Sequence, residues 1–201
     1  MQHPVGGWMF LVRHGQTEWS RTRRHTGRTD VELESAGRAQ AESLSALLAD
    51  RSFSQVLTSP LARAAETCQL AGFGEVAVPD EDLAEWDYGE YDGLTSAQIR
   101  ERRPGWNLWV DGVPGGETPA AVGARADRVI ARSAQSDGDT LCFSHGHLLR
   151  VLAARWVGLP PVGGRLLLLG TGSLSVLGWE AATPVIARWN QLPPAAPPRP
   201  G

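Results

Sequence analysis

Apolar and polar positions alternate along this chain in blocks that read as short buried strands and amphipathic helices. Trp8 to Val12 is an apolar run that stops abruptly at polar residues, the pattern of a buried strand. From Ser35 to Asp50, Ala36, Ala39, Leu44, Leu47 and Leu48 recur at helical spacing, with Ser35 as candidate N-cap. Gln55 to Thr58 reads as a second strand. Ser59-Pro60 then opens a helix to about Ala71, with Pro60 suited to the first helical position. Thr118-Pro119 repeats that start signal before a long helix to about Ser136. Thr140 to Ser144 is a third apolar strand, followed by a helix over Leu148 to Val157. Leu166 to Leu169, Leu174 to Trp179 and Val185 to Trp189 read as further strands. The alternation predicts one α/β domain with a mostly parallel sheet.

Two segments break the pattern. Glu81 to Gly116 is irregular, interrupted by Gly and Pro, and holds Trp86, Tyr88, Trp106 and Trp109. The end of the chain, with Pro193-Pro194 and Pro197-Pro198-Arg199-Pro200, reads as a flexible tail. The division is therefore a domain over residues 1–190 and a Pro-rich tail over 191–201, with no internal repeat.

Composition narrows the chemistry. The 201 residues are 42% hydrophobic and 20% charged, a globular balance. The chain has no lysine, so all 19 basic residues are arginine. That excludes Schiff-base chemistry and the lysine of a Walker phosphate loop. With 22 acids the formal charge is -3, which argues against nucleic acid as a partner. Any anion must be held by a few placed arginines. Cys68 and Cys142 are isolated in apolar company, and they read as buried free thiols suited to a reducing cytoplasm. Met1 to Phe10 lacks the pattern of a secretory signal, and no apolar stretch is long enough for a membrane span.

Three strands end alike. The first runs into Arg13-His14-Gly15, the second into Thr58-Ser59-Pro60 with Arg63 just beyond, and the third into Ser144-His145-Gly146-His147. Ligands of open α/β sheets bind beyond the carboxyl ends of the strands. Two histidines and two arginines arriving there, beside helix N-termini, make a pocket for an anion with several oxygens, and phosphate fits best. Placement alone leaves binding and catalysis both open. A metal site at His14, His145 and His147 is the rival. It lacks a neighbouring carboxylate cluster, and the arginines would repel a cation, so no metal and no cofactor are expected.

Leu11-Val12-Arg13-His14-Gly15-Gln16-Thr17-Glu18-Trp19 resembles the signature of the histidine phosphatase superfamily, also called phosphoglycerate-mutase-like. Ser59-Pro60-Leu61-Ala62-Arg63-Ala64-Ala65-Glu66-Thr67 resembles its second phosphate-arginine motif, and Leu83 to Gly93 its acid motif. Gly115-Gly116-Glu117-Thr118 and Ser144-His145-Gly146-His147 complete the order. The resemblance implies a three-layer sandwich, a mostly parallel sheet flanked by helices. It implies His14 as a nucleophile forming phosphohistidine, with Arg13, Arg63 and His145 around the phosphoryl oxygens and Glu85 as general acid and then base. A planar guanidinium meets two oxygens at once, which lysine does not.

The same chemistry serves a phosphatase or a phosphoglycerate mutase. Mutases of the family carry arginines after the tryptophan of an extra segment and an asparagine six residues after the histidine. Here no arginine directly follows Trp109, Ser20 takes the asparagine's place, and Asp92 replaces the usual glutamate of the acid motif. These departures favour a phosphatase acting on small phosphorylated metabolites such as sugar phosphates. His25 to Asp30, Ser20 and Glu85 to Gly89 resemble the branch of sedoheptulose-bisphosphatase-like enzymes and small acid phosphatases. That likeness implies substrate contacts from Ser20, the Thr26 hydroxyl, the Gly27 backbone, Tyr88, Gly146 and His147. A non-catalytic phosphate-binding module is the third reading. The intact set of Arg13, His14, Arg63, Glu85 and His145 argues against it. A homo-oligomer stays open.

Overall fold

The first apolar run becomes strand β1 (Met9–Arg13), which sits inside a sheet because both of its faces are apolar. The structure is a computed structural model that describes residues 7–193. Helix α1 (Glu18–Arg21) follows, then α2 (Ser35–Leu48), β2 (Gln55–Thr58) and α3 (Ala62–Leu70). A two-residue strand β3 (Val78–Pro79) leads into the irregular segment, which contains α4 (Ser96–Arg102) and α5 (Leu108–Asp111). The chain closes with α6 (Pro119–Ala134), β4 (Thr140–Ser144), α7 (Gly146–Trp156), β5 (Leu174–Glu180) and β6 (Thr183–Gln191).

The six strands lie in the order β3-β2-β4-β1-β5-β6. The first four are mutually parallel, and β5 and β6 join antiparallel, so the mostly parallel sheet expected from the sequence is present. Alternate side chains serve the two faces, as the two-residue repeat of a strand requires. Met9, Leu11, Leu57 and Cys142 pack with Val122, Ala126 and Val129 of α6 and with α7. Phe10, Val12, Val56, Leu141 and Phe143 pack on the other face with Leu44 and Leu48 of α2 and Cys68 of α3. The result is the three-layer sandwich. Each such side chain fully removed from water contributes about 1.5–3 kcal/mol, and this rigid core fixes where the strands end.

Register decides the site. Arg13 pairs with Ser144, and Thr58 with Phe143, so β1, β4 and β2 stop level with one another. The ladder continues one step further, because His14 N–H donates to Ser144 O at 2.9 Å and Ser59 N–H to Phe143 O at 2.8 Å. His14, Ser59 and His145 therefore emerge side by side.

Several local expectations change. Leu166 to Leu169 is not a strand. It follows a 3-10 stretch over Pro161–Leu166, and side chains rather than a ladder take its carbonyls, Trp189 at Leu168 and Arg13 at Leu169. Leu166 and Leu168 are 72% and 78% exposed, while Leu167 and Leu169 turn toward the core, so only half of this apolar run is buried. Ser35 is the first helical residue of α2 rather than its cap, since Glu34 holds the cap position without a side-chain bond. Helix α3 starts at Ala62, two residues after Pro60, because the Ser59 hydroxyl accepts the Leu61 N–H and keeps that turn outside the helix. Strand β6 extends to Gln191, one residue into the segment read as tail, and residues 194–201 lie outside the described residues.

Candidate active site

His14 leaves β1 with 4% of its surface exposed. Its Nδ1 lies 2.7 Å from Gly15 O, so the ring proton belongs on Nδ1 and Nε2 keeps its lone pair. Burial, with Arg63 and Arg13 close by, holds this ring well below the usual histidine range, and the Gly15 bond opposes that only in part. A neutral imidazole with a free Nε2 is a nucleophile. The turn after it is tight, because a Cβ on Gly15 would stand 2.2 Å from Gly37 O and one on Gly37 would stand 2.1 Å from Gln16 O. These two glycines let α2 seat its N-terminus against the nucleophile loop.

His145 stands beside it, the ring centres 5.2 Å apart. The Ser59 hydroxyl lies 2.7 Å from His145 Nε2 and accepts the Leu61 N–H; in the tautomer in which Nε2 accepts the Ser59 proton, the ring proton sits on Nδ1. Burial, then Arg63, His14 and Arg13, keep this ring neutral as well. Arg63, in the first turn of α3, is fully buried. Its Nη1 donates to Thr29 O at 3.0 Å, and its Nη2 to Thr26 O at 3.1 Å and Gly27 O at 3.0 Å. Arg13 is anchored by Leu169 O, and a Cβ on Gly146 would approach its Cζ to 3.2 Å. Arg13 Nε, Arg63 Nε and His145 Nδ1 are buried nitrogens without a partner among the described residues. Buried donors of this kind are ordinarily satisfied.

Glu85 faces this group across the cavity. Its Oε1 accepts the Trp86 and Leu148 N–H groups at 2.9 Å each, and its Oε2 accepts the His147 N–H at 3.0 Å. Two of these donors belong to the first turn of α7, so the carboxylate occupies the positive end of that helix and is fixed in direction. Arg125 of α6 sets the loop behind it. Its guanidinium donates to Asp82 O and Ala84 O at 2.8 Å and to Glu85 O at 3.3 Å, and it holds Glu117 in a bidentate pair at 2.7 Å. The Glu117 carboxylate in turn accepts the Asp87 N–H at 2.9 Å.

A cavity of about 470 Å³ has Arg13, His14, Glu85 and Gly146 in its wall, while Arg63 and His145, fully buried, lie outside its lining. Of the other expected contacts, Thr26, Tyr88 and His147 also line it. The Tyr88 hydroxyl lies 2.6 Å from His147 Nδ1. Burial and then the Glu85 charge push that phenol well above its ordinary range. Ser20 lines the cavity while closing the capping box of α1 with Thr17. Gly27 stands apart from the lining. Its N–H, expected to face the phosphate, donates to Asp92 Oδ1 at 2.7 Å, and its carbonyl is a seat for Arg63. The Asp92 carboxylate also takes the Thr29 hydroxyl at 2.7 Å, so this residue of the acid motif holds the Thr26–Thr29 loop in place.

Sequence reasoning missed His25, Arg23, Arg24, Ser96 and Arg150, all in the cavity wall. His25 sits against Tyr88 with ring centres 4.8 Å apart, and burial lowers it to about 4. A strand-end search does not reach these residues, because they follow α1, open α4 or lie within α7. Trp109, on α5, packs its ring 5.8 Å from Trp86 and 5.2 Å from His147, and so backs the cavity wall at His147 without lining it.

Two neutral histidines, two buried guanidinium groups and an opposed carboxylate meet at the end of a parallel sheet, the set of groups that phosphoryl transfer calls for. Residues 9–192 match the model of the histidine phosphatase superfamily (branch 1), and the chain belongs to that superfamily. It is 44% identical over 176 residues to an acid phosphatase of Mycobacterium tuberculosis, with 86% of each chain covered. It is 38% identical over 182 residues to sedoheptulose 1,7-bisphosphatase of Saccharomyces cerevisiae, covering 75% of this chain and 67% of that one. The solved structure of an open reading frame product from Mycobacterium tuberculosis superimposes with a TM-score of 0.85 at 40% identity, over 92% of this chain and 98% of that one. The resemblance read from the five motifs holds, and with it the phosphatase class.

Proposed function

We propose that the chain is a metal-independent phosphomonoesterase that hydrolyses small phosphorylated metabolites of the sugar-phosphate class through a phosphohistidine on His14. The observation that carries this reading is a histidine with a free Nε2, its ring 5.2 Å from that of His145 and under the charges of Arg63 and Arg13, while Arg13, Arg63 and His145 each keep a buried nitrogen without a partner among the described residues. His14 Nε2 attacks phosphorus, and the bond from phosphorus to the ester oxygen breaks. Glu85, which enters this step as the carboxylic acid, gives that oxygen its proton, and the alcohol leaves. Water then attacks the phosphohistidine, Glu85 takes its proton, the P–N bond breaks and inorganic phosphate departs. Arg13, Arg63 and His145 face the charge on the equatorial oxygens, the role a cation plays elsewhere.

Support for sugar phosphates comes from the yeast relative's named activity and from the rings of Tyr88, His25 and His147 in the cavity wall, a surface on which a sugar ring packs. A phosphatase is favoured over a mutase because α5 fills the mutase-specific stretch with an aromatic wall and no directly following arginine pair. A reducing compartment, the cytoplasm, suits the thiols of Cys68 and Cys142. They lie on opposite faces of the sheet, and burial pushes each up to about 12. No helix among the described residues is long and apolar enough to cross a membrane.

The test is phosphate release from a panel of sugar phosphates, wild type against His14→Ala, with alkaline detergent quench to trap the labelled enzyme. Release with transient acid-labile label on wild type and neither on His14→Ala is expected. Exchange of phosphate between substrate positions without release would show a mutase.

A further inference from the structure

The cavity is larger than the transferred group needs. Its volume of about 470 Å³ is in the range that encloses a whole small metabolite, while the phosphoryl end is accounted for at the buried floor. The rim carries further positive charge from Arg23, Arg24 and Arg150, and Glu85 is the one carboxylate among the described lining residues. Arg24 is tied to Gly93 O at 3.0 Å. Arg150 is tied to Gly164 O at 3.0 Å and lies 4.6 Å from the Trp109 ring centre. The exposed Arg23 side chain has no hydrogen bond or ion pair among the described residues.

The backbone at Arg23 is the second observation. Helix α1 ends in a Schellman turn, in which Arg24 N–H donates to Trp19 O at 2.9 Å and Arg23 N–H to Ser20 O at 3.4 Å. That turn requires a left-handed residue, and Arg23 supplies it with φ of 59°. Glycine is favoured there, since a Cβ crowds the backbone in this conformation. The chain instead keeps an arginine whose side chain reaches no protein partner and lines the cavity. Ala181 and Asn190 are left-handed as well, but Arg23 alone of the three lines the cavity.

We infer that Arg23 recognises a second anionic group of the substrate, a phosphoryl or a carboxylate remote from the scissile phosphate, with Arg24 and Arg150 framing the same subsite. This rests on the phosphomonoesterase reading and deepens it. Arg23 sets specificity and does not touch the reacting atoms. A guanidinium meets two oxygens of either group in one plane.

The experiment compares matched esters: fructose 1,6-bisphosphate with fructose 6-phosphate, and 3-phosphoglycerate with glycerol 3-phosphate. Each is assayed for phosphate release with wild type, Arg23→Gly and Arg51→Lys, the last as a distant control. Wild type is expected to favour the doubly anionic member of one pair, which identifies the second group. Arg23→Gly should raise KM for that member about tenfold with kcat little changed, the size of one lost charge-assisted hydrogen bond, so the preference collapses. Glycine suits the left-handed turn, so Arg23→Gly should unfold at or above the wild-type temperature, which separates lost recognition from misfolding. A wild type without preference in either pair, or equal effects of Arg23→Gly on both members, would overturn the inference and leave the phosphatase reading standing. No phosphate release from any ester would sink both.

Discussion

The backbone N–H of Gly15 donates to the hydroxyl of Thr67 at 3.0 Å, joining the nucleophile loop to helix α3. Thr67 passes the bond on, since the same hydroxyl donates to Arg63 O at 2.7 Å. One side chain thus ties the residue that orients His14 to the turn that carries Arg63. Thr67→Val keeps the shape and removes the acceptor, which leaves the Gly15 N–H buried and unpaired. The expected loss is about 1–3 kcal/mol of stability, with a fall in kcat and recovery of both in Thr67→Ser. Urea denaturation with parallel kinetics checks this. A Thr67→Val protein as stable and active as wild type would show that the link does nothing.

Arginine without lysine takes on local meaning at Arg63. Its three carbonyl bonds use both Nη atoms and leave Nε for the phosphoryl group. A lysine ammonium cannot span that arrangement. Arg63→Lys is expected to lower kcat by about 10²–10³, the scale of one lost transition-state donor. Arg51 is different, because its guanidinium only stacks 4.6 Å above the Phe10 ring. Arg51→Lys should shift stability by no more than about 0.5 kcal/mol and leave kcat alone. Equal effects of the two changes would contradict the site described above.

The parts of this site that could be read from sequence share one property. Arg13, His14 and His145 each close an apolar run, and β1 and β4 end in register. The apolar pattern that builds the sheet therefore also announces where its functional residues emerge. The supports carry no such mark. Arg125 lies in α6 among polar positions that resemble a solvent face, and the carbonyls it holds at Asp82 and Ala84 come from 43 and 41 positions earlier. Helix α4 was readable in principle, because Thr95 and Gln98 form a capping box. The surrounding glycines and prolines obscured it. The Leu166–Leu169 run failed for the opposite reason, since its hydrophobicity serves the rim of the cavity and not a strand.

Four buried or half-buried rings give stability a pH dependence. Burial is the main cause of the lowering at His14, His145, His147 and His25, the last reaching about 4. As pH falls below 6.5 the unfolded chain takes up protons at these rings that the folded chain refuses, so stability rises with pH across this window and is lost on acidification. His25 alone accounts for about 3 kcal/mol between pH 6.5 and 4. The lowered carboxylates Glu34, Asp82 and Glu117 start from 3.8 or 4.5 and act below the upper part of that range. Urea midpoints from pH 7.5 to 5 should therefore decline steadily, with a shallower slope in His25→Gln. A flat profile would mean that the rings take up protons in the folded state.

Gly146 separates stability from activity. It is the first residue of α7, where alanine is the better helix former by up to about 1 kcal/mol, a gain that crowding of Arg13 offsets, so Gly146→Ala should change stability little. The added Cβ would stand 3.2 Å from Arg13 Cζ, 3.3 Å from its Nε and 3.4 Å from its Nη2. Arg13 has little room to yield, since Leu169 O anchors the other side of its guanidinium. A shift of a few tenths of an ångström in a group that must meet the phosphoryl oxygens should lower kcat roughly tenfold. Thermal unfolding and steady-state kinetics on the same preparation check both halves. A Gly146→Ala enzyme with wild-type kcat would show that Arg13 is held in place by something other than this contact, and the Leu169 carbonyl would then carry its positioning.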